Sequence, residues 1–130
     1  MPTVKRFEDL DMWKLARELC VKLGCIIDQG AFRNNFRLIG QMEGSSGSIM
    51  DNIAEGFERG SRGEFILFLG YSKGSCGEIR SQLYRAVDRK YITNEQFQDL
   101  HLIVVRVSAM LQKFISYLQN SAIKGLRKKL

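Results

Sequence analysis

Apolar and small residues recur along this chain with steps of three and four, the spacing of one face of an α-helix. The first run is Leu10, Trp13, Ala16, Leu19/Cys20, Leu23 and Ile26/Ile27, and it predicts a helix over about 9–29. Asp9 or Asp11 favours its start, where a carboxylate meets the positive end of the helix dipole. A second run, Ile39, Met42, Ser46, Ile49/Met50, Ile53 and Phe57, predicts a helix over 35–58, with Asn34 or Asn35 as its cap. A turn at Arg59-Gly60-Ser61 follows. Ser61-Arg62-Gly63-Glu64 then reads as a capping box opening a helix over 62–90, with Phe65, Phe68, Ser72, Cys76, Ile79, Leu83 and Ala86 inward. Thr93-Asn94-Glu95-Gln96 repeats the capping pattern. The fourth helix, 94–119, carries Phe97, Leu100, Val104, Val107, Leu111, Phe114 and Leu118. Residues 121–130 form a basic tail that is expected to fray beyond Gly125. Short connections make consecutive helices antiparallel neighbours, so the expected fold is all-α: an up-down-up-down four-helix bundle forming one domain over 1–130.

Glycine is the exception to this pattern. Gly40, Gly44 and Gly47 recur at helical spacing in the second helix, and Gly70, Gly74 and Gly77 in the third. Each costs about 0.5–1 kcal/mol relative to alanine inside a helix, so their number implies an opposing requirement. They fall off the core stripes, and with Ile66, Tyr84 and Tyr91 they outline a small-and-apolar face. That face is a candidate interface between subunits; tolerance on a solvated surface, or close packing within one chain, would also produce it.

Composition narrows the function classes. Apolar content is 45% and charged content 26%, ordinary for a globular chain, and the only proline is Pro2. Cys20, Cys25 and Cys76 have neither zinc-finger nor CxxC spacing and read as reduced thiols of a cytoplasmic protein. No signal peptide or membrane-spanning apolar run is evident. Metal chemistry of the di-iron bundle type needs Glu-x-x-His pairs, and the single histidine, His101, has Gln98 three residues before it. No nucleophile elbow, Walker loop or dinucleotide fingerprint occurs. A non-enzymatic protein without cofactor or metal is expected. Asn52 and Glu55 share a helix turn off the core stripe, and the structural reading, hydrogen bonds to a neighbour or to the 59–62 turn, outweighs a catalytic one.

Charge is the one functional signal. The formal net charge is +6. Residues 1–60 carry eight Lys/Arg against nine Asp/Glu, whereas residues 61–130 carry twelve against five. Arg80, Arg85, Arg89 and Lys90 on the third helix, with Lys124, Arg127, Lys128 and Lys129 in the tail, are the candidate nucleic-acid contacts. No aromatic stacking platform is evident, so binding is expected to be directed to the backbone. The alternative is a protein-interaction scaffold whose positive charge is incidental.

Certain residues also carry a resemblance. Phe7-Glu8-Asp9-Leu10, Trp13-Lys14, Ala16, Gln41, Ser48-Ile49, Asn52-Ile53-Ala54-Glu55-Gly56, Arg59, Glu64-Phe65, Phe68-Leu69, Gly74-Ser75 and Glu78 together resemble the bacterial "four helix bundle protein" family. That family includes proteins encoded by intervening sequences within large-subunit ribosomal RNA genes. A related branch comprises accessory variability proteins of diversity-generating retroelements. The resemblance spans residues 7–118 and implies a cytoplasmic four-helix subunit assembling into a homopentamer. For the retroelement branch it also implies a basic surface that binds RNA or DNA and a partner reverse transcriptase. Gly44 stands where the family has a larger residue, and Arg33 where proline is common. The resemblance brings no catalytic residue.

Overall fold

The computed structural model describes residues 4–129, and side chains over 4–121. After a single 3-10 turn at Phe7–Asp9 come α1 (Asp11–Asp28), α2 (Phe36–Glu58), α3 (Arg62–Asp88) and α4 (Asn94–Lys129). Among the described residues there is no strand. Each helix packs on two others in the cyclic order α1–α2–α3–α4, and diagonal helices do not approach closely. The result is an antiparallel four-helix bundle.

The predicted stripes form its core, except that Phe68 of α3 is half-buried against Tyr71 and Leu69 takes the inward place. Ala16, Leu19, Met42, Ile49, Ile53, Ile79, Leu83, Leu100, Val107 and Leu111 are fully buried. The stripes are wider than expected, because Leu38, Leu69, Ile103 and Ile115 are buried beside them. A bundle interior needs three to four apolar positions per two turns, more than a single line supplies.

The helix starts follow their caps. Asn35 Oδ1 accepts from the Leu38 N–H at 3.1 Å. Ser61 Oγ accepts from the Glu64 N–H at 3.2 Å, but the Glu64 carboxylate lies 3.5 Å from Arg59 instead of returning to the cap. The box at Thr93 is reciprocal: its hydroxyl accepts from the Gln96 N–H at 3.0 Å, and the Gln96 carbonyl accepts from the Thr93 N–H at 2.9 Å. Thr93 thus satisfies one orphan amide of α4, and Gln96 satisfies the amide of Thr93 in return.

The ends differ from expectation in two places. α3 stops at Asp88 because Lys90 adopts a left-handed φ of 61°. The Tyr91 N–H then bonds to Ala86 O at 2.9 Å and the Lys90 N–H to Val87 O at 3.0 Å. This is the paired-bond helix ending usually built on glycine. The reversal carries Tyr91 inward, 5% exposed, with its ring 5.1 Å from Phe32 and its hydroxyl accepting from Asn35. Tyr91 is therefore a core residue, not part of an outer apolar face. α4, expected to end near 119, continues as helix to Lys129. No proline interrupts it, and basic residues suit the negative end of the dipole.

The seam between α2 and α3 is polar. Ser45, Ser72 and Ser75 are all buried there. Ser72 Oγ donates to Ile49 O at 2.8 Å, Ser75 Oγ to Ser48 Oγ at 3.1 Å, and Ser45 Oγ to Gln82 Oε1 at 2.6 Å. Asn52 Nδ2 completes the set, donating to the carbonyl and hydroxyl of Ser48 at 2.9 Å each. Among the described residues no buried side-chain polar atom lacks a partner. The hydroxyls replace bulk, so the two helices meet closely without orphaned groups.

Candidate nucleic-acid interface

α3 presents three edges: one toward α2, one toward α4, and an outward face between them. The candidate arginines divide among these edges. Arg85 is exposed on the α2 side, where its Nη1 donates to Gln41 Oε1 at 3.1 Å. Arg89 follows one turn later and lies over the Tyr91 ring, 5.5 Å from its centroid. Lys90 is exposed in the left-handed turn. Arg80 lies on the opposite edge, toward α4. The set is thus two groups, not one continuous surface. Lys124, Arg127, Lys128 and Lys129 lie outside the residues whose side chains are described.

Arg80 belongs to a cleft. Lys73, Cys76, Gly77 and Arg80 of α3 face Val104 and Ser108 of α4 across a cavity of 260 Å³. Spacings of four and three along α3 keep Lys73, Gly77 and Arg80 on one line. Gly77 leaves room there, since a Cβ at this position would meet nothing within 4 Å. Burial pushes the Cys76 thiol up to about 12, with the nearby Lys73 charge pulling weakly the other way. The thiol is therefore protonated at neutral pH and is no nucleophile. Sequence reasoning misses Lys73 and Ser108. A lysine seven residues before Arg80, with glycine between them, is the signal available.

At one end of this edge stands an aromatic group. Tyr84, 50% exposed, packs at 4.9 Å on Phe97 and at 5.8 Å on His101. An exposed ring packed against two others is a feature that the linear sequence did not reveal. A second and larger hollow, 490 Å³, is walled by Leu10, Met12, Met110 and Phe114 and rimmed by Asp9, Asp11 and Lys113. Its wall is apolar, and two carboxylates outnumber the single cation on its rim, which suits an anion poorly.

Ion pairing sharpens the charge asymmetry. Arg6 pairs with Asp9, Lys22 with Glu18 and Asp99, and Arg59 with Glu55 and Glu64. Cations of the first half thereby occupy Asp99 and Glu64 of the second. The bond with Asp99 raises the Lys22 pKa, and that with Glu55 raises Arg59. Among the described residues, no Lys or Arg of α3 or α4 lies within 4.0 Å of a carboxylate.

The expected glycine face is also resolved. Gly40, Gly44, Gly70 and Gly74 are exposed, Gly47 is half-buried, and none would meet a neighbour within 4 Å if given a Cβ. Close packing within the chain therefore does not explain them. Ile66 packs against the core, so it belongs to the bundle interior more than to an outer face. Gly77 lines the α4 cleft and Tyr84 rests on α4 residues, which leaves Gly70 and Gly74 as the outward pair. One glycine is needed for packing: at Gly56 a Cβ would lie 2.7 Å from Phe68 Cβ. Glu55 bonds to Arg59 of the turn at 2.9 Å, as the structural reading expects, whereas both Asn52 bonds go to Ser48 within α2 and not to a neighbour.

The 23S rRNA-intervening sequence protein family has a profile that matches residues 8–113. The chain belongs to this family. The bundle is similar to that of a protein of unknown function from the S23 ribosomal protein family of Bacteroides thetaiotaomicron. The TM-score is 0.69 at 24% identity, over 81% of this chain and 95% of that one. At that identity the likeness carries the fold alone. No curated protein matches the chain. Neither the family nor the structural neighbour indicates an enzyme class. Among the described residues no helix is long and apolar enough to cross a membrane, and no cluster of His, Cys, Asp or Glu could hold a metal ion.

Proposed function

We propose that this member of the intervening-sequence family is a non-enzymatic, self-associating bundle protein of the cytoplasm that binds nucleic acid through its phosphates as an accessory factor. The observation that carries the reading is the positive charge of α3 and α4, unpaired among the described residues, while Lys22 and Arg59 take up Asp99 and Glu64, two of the five carboxylates of this half. Phosphate neutralisation releases counterions, so such a surface gains most from a polyanion. The exposed, uncrowded Gly70 and Gly74, beside Leu67 and Tyr71 at 50% and 52% exposure, support self-association through the outward face of α3. A ring of copies, a pentamer by the family resemblance, would multiply the field. The same resemblance extends the proposal to a reverse transcriptase partner.

Gel shifts of RNA and DNA at two salt concentrations test the reading. Wild type binds with weak sequence preference and steep salt dependence, and Arg85→Gln with Arg89→Gln weakens all sequences about equally and flattens the salt slope. The competing reading, a protein-interaction scaffold, draws on Phe36, 73% exposed on α2. It predicts that any low-salt binding ignores those two changes. Light scattering tests assembly: an oligomer is expected, with Gly74→Leu shifting it toward monomer at unchanged helicity. A monomeric wild type refutes the self-association. Co-purification with a co-expressed reverse transcriptase tests the partner.

A further inference from the structure

We infer that the cleft between α3 and α4 seats a single-stranded nucleic acid, with a backbone phosphate between Lys73 and Arg80 and a base stacked on Tyr84. The inference rests on the nucleic-acid reading above and adds the site and the strand state.

Three observations converge on this edge. Lys73, half-buried, and Arg80, exposed, have no hydrogen-bond or ion-pair partner among the described residues. No carboxylate lines the cleft, and Ser108 lines it from α4, where its hydroxyl can serve as a third donor. The volume, 260 Å³, exceeds the share of one water, about 30 Å³, several-fold. It therefore admits a phosphodiester group with some of its hydration. Gly77 keeps it open, because a side chain there would project into free space.

The aromatic group selects the strand state. Tyr84 lies four residues beyond Arg80, about 6 Å along the helix, and Lys73 lies about 10.5 Å before Arg80. The stripe therefore alternates cation, cation and ring over roughly the reach of two or three nucleotides. Phe97 and His101 brace the Tyr84 ring from α4, so little side-chain freedom is lost when a base stacks on it. In a duplex the bases are already paired and stacked, and a phosphate cannot enter the cleft while a base reaches Tyr84. A cationic groove with an adjoining aromatic platform is the general design of single-strand binding sites.

The test is fluorescence anisotropy with a labelled single-stranded RNA dodecamer and the duplex of the same length. Circular dichroism and light scattering accompany each variant. Wild type is expected to prefer the single strand. Lys73→Gln with Arg80→Gln should lower the salt slope by about 0.7 for each phosphate no longer neutralised. Tyr84→Ala should weaken the single strand by about five- to 150-fold, the range for loss of one base stack, and leave duplex binding unchanged. The charge-matched change of exposed Lys14→Gln with Arg37→Gln should do neither. His101 is the only histidine, so its ring proton resonances report on unmodified protein and should shift on adding the single strand. Equal binding of both strand states, or wild-type affinity in the Lys73/Arg80 variant with His101 unmoved, overturns the cleft while leaving nucleic-acid binding standing. A wild type that binds neither probe overturns both.

Discussion

Alanine is normally the stabilising replacement for a helical glycine, and Gly56→Ala should reverse that rule. A Cβ at Gly56 would lie 2.7 Å from Phe68 Cβ, 3.1 Å from Phe65 Cδ1 and 3.5 Å from Phe65 Cα. Carbon pairs rest at about 3.5–4.0 Å, so the first of these approaches is short by roughly 1 Å. The Phe65 ring can swing, but Phe68 Cβ moves only with its backbone, and α3 would have to withdraw from α2. Overpacking of this kind costs about 1–3 kcal/mol. The gain in helix propensity returns about 0.5–1 kcal/mol. The net expectation is a loss of about 1 kcal/mol, reaching about 2 if the serine seam is disturbed as well. For a chain of this size that is a fall of about 3–5 °C in Tm. Gly24→Ala is the control: it is also helical, meets nothing within 4 Å, and should gain about 0.5–1 kcal/mol. Urea denaturation of the two variants beside wild type decides the matter. A Gly56→Ala protein as stable as Gly24→Ala would refute the packing argument.

Leu111 is fully buried on α4, and Leu111→Ala should cost about 2–5 kcal/mol in urea denaturation. Lys90→Gly should stabilise by about 1 kcal/mol, since Lys90 sits at φ 61° where a side chain is disfavoured; a lower Tm would count against this. Folding raises the Cys76 pKa from 9.0 to about 12. The unfolded thiol therefore loses its proton first, and this contribution to stability is intact below pH 9 and declines as pH rises from 9 toward about 12. Cys76→Ala should lessen that alkaline decline in a denaturation series. At pH 8 a thiol reagent should modify the exposed Cys25 well before the buried Cys76.

What the sequence displayed clearly was whatever repeats with the helix. Leu100, Val104, Val107 and Leu111 announce a buried face by period alone, and Asn35, Ser61 and Thr93 announce helix starts by their side-chain chemistry. Features without a period were hidden. Among twelve glycines no helical period distinguishes Gly56, which packs, from Gly70 or Gly74, which do not. Tyr91 reads as an outer residue in the sequence because the left-handed turn before it is occupied by lysine where glycine is the usual sign. The candidate cations suffer in a similar way. Arg80 and Arg85 are five residues apart, which puts them on different edges of α3, while Lys73, seven residues from Arg80, shares its edge. The aromatic platform is an inter-helix object: Tyr84 gains Phe97 and His101 only when α4 folds back beside α3.

The serine seam has a consequence for which alignments of the bundle are permitted. A purely leucine-lined interface can slide by a heptad and lose little, because each apolar tooth finds another groove. Between α2 and α3 three of the teeth are polar and matched to a particular acceptor, Ser72 on Ile49, Ser75 on Ser48, Ser45 on Gln82. A slip of one turn would break those bonds, at about 1–3 kcal/mol for each group left buried without a mate. The seam therefore behaves as a key cut for one lock position, trading hydrophobic strength for a single permitted alignment. Because α3 also carries the cationic edge, the same key sets the height of Lys73 and Arg80 relative to α2, and with it the relief that any ligand meets.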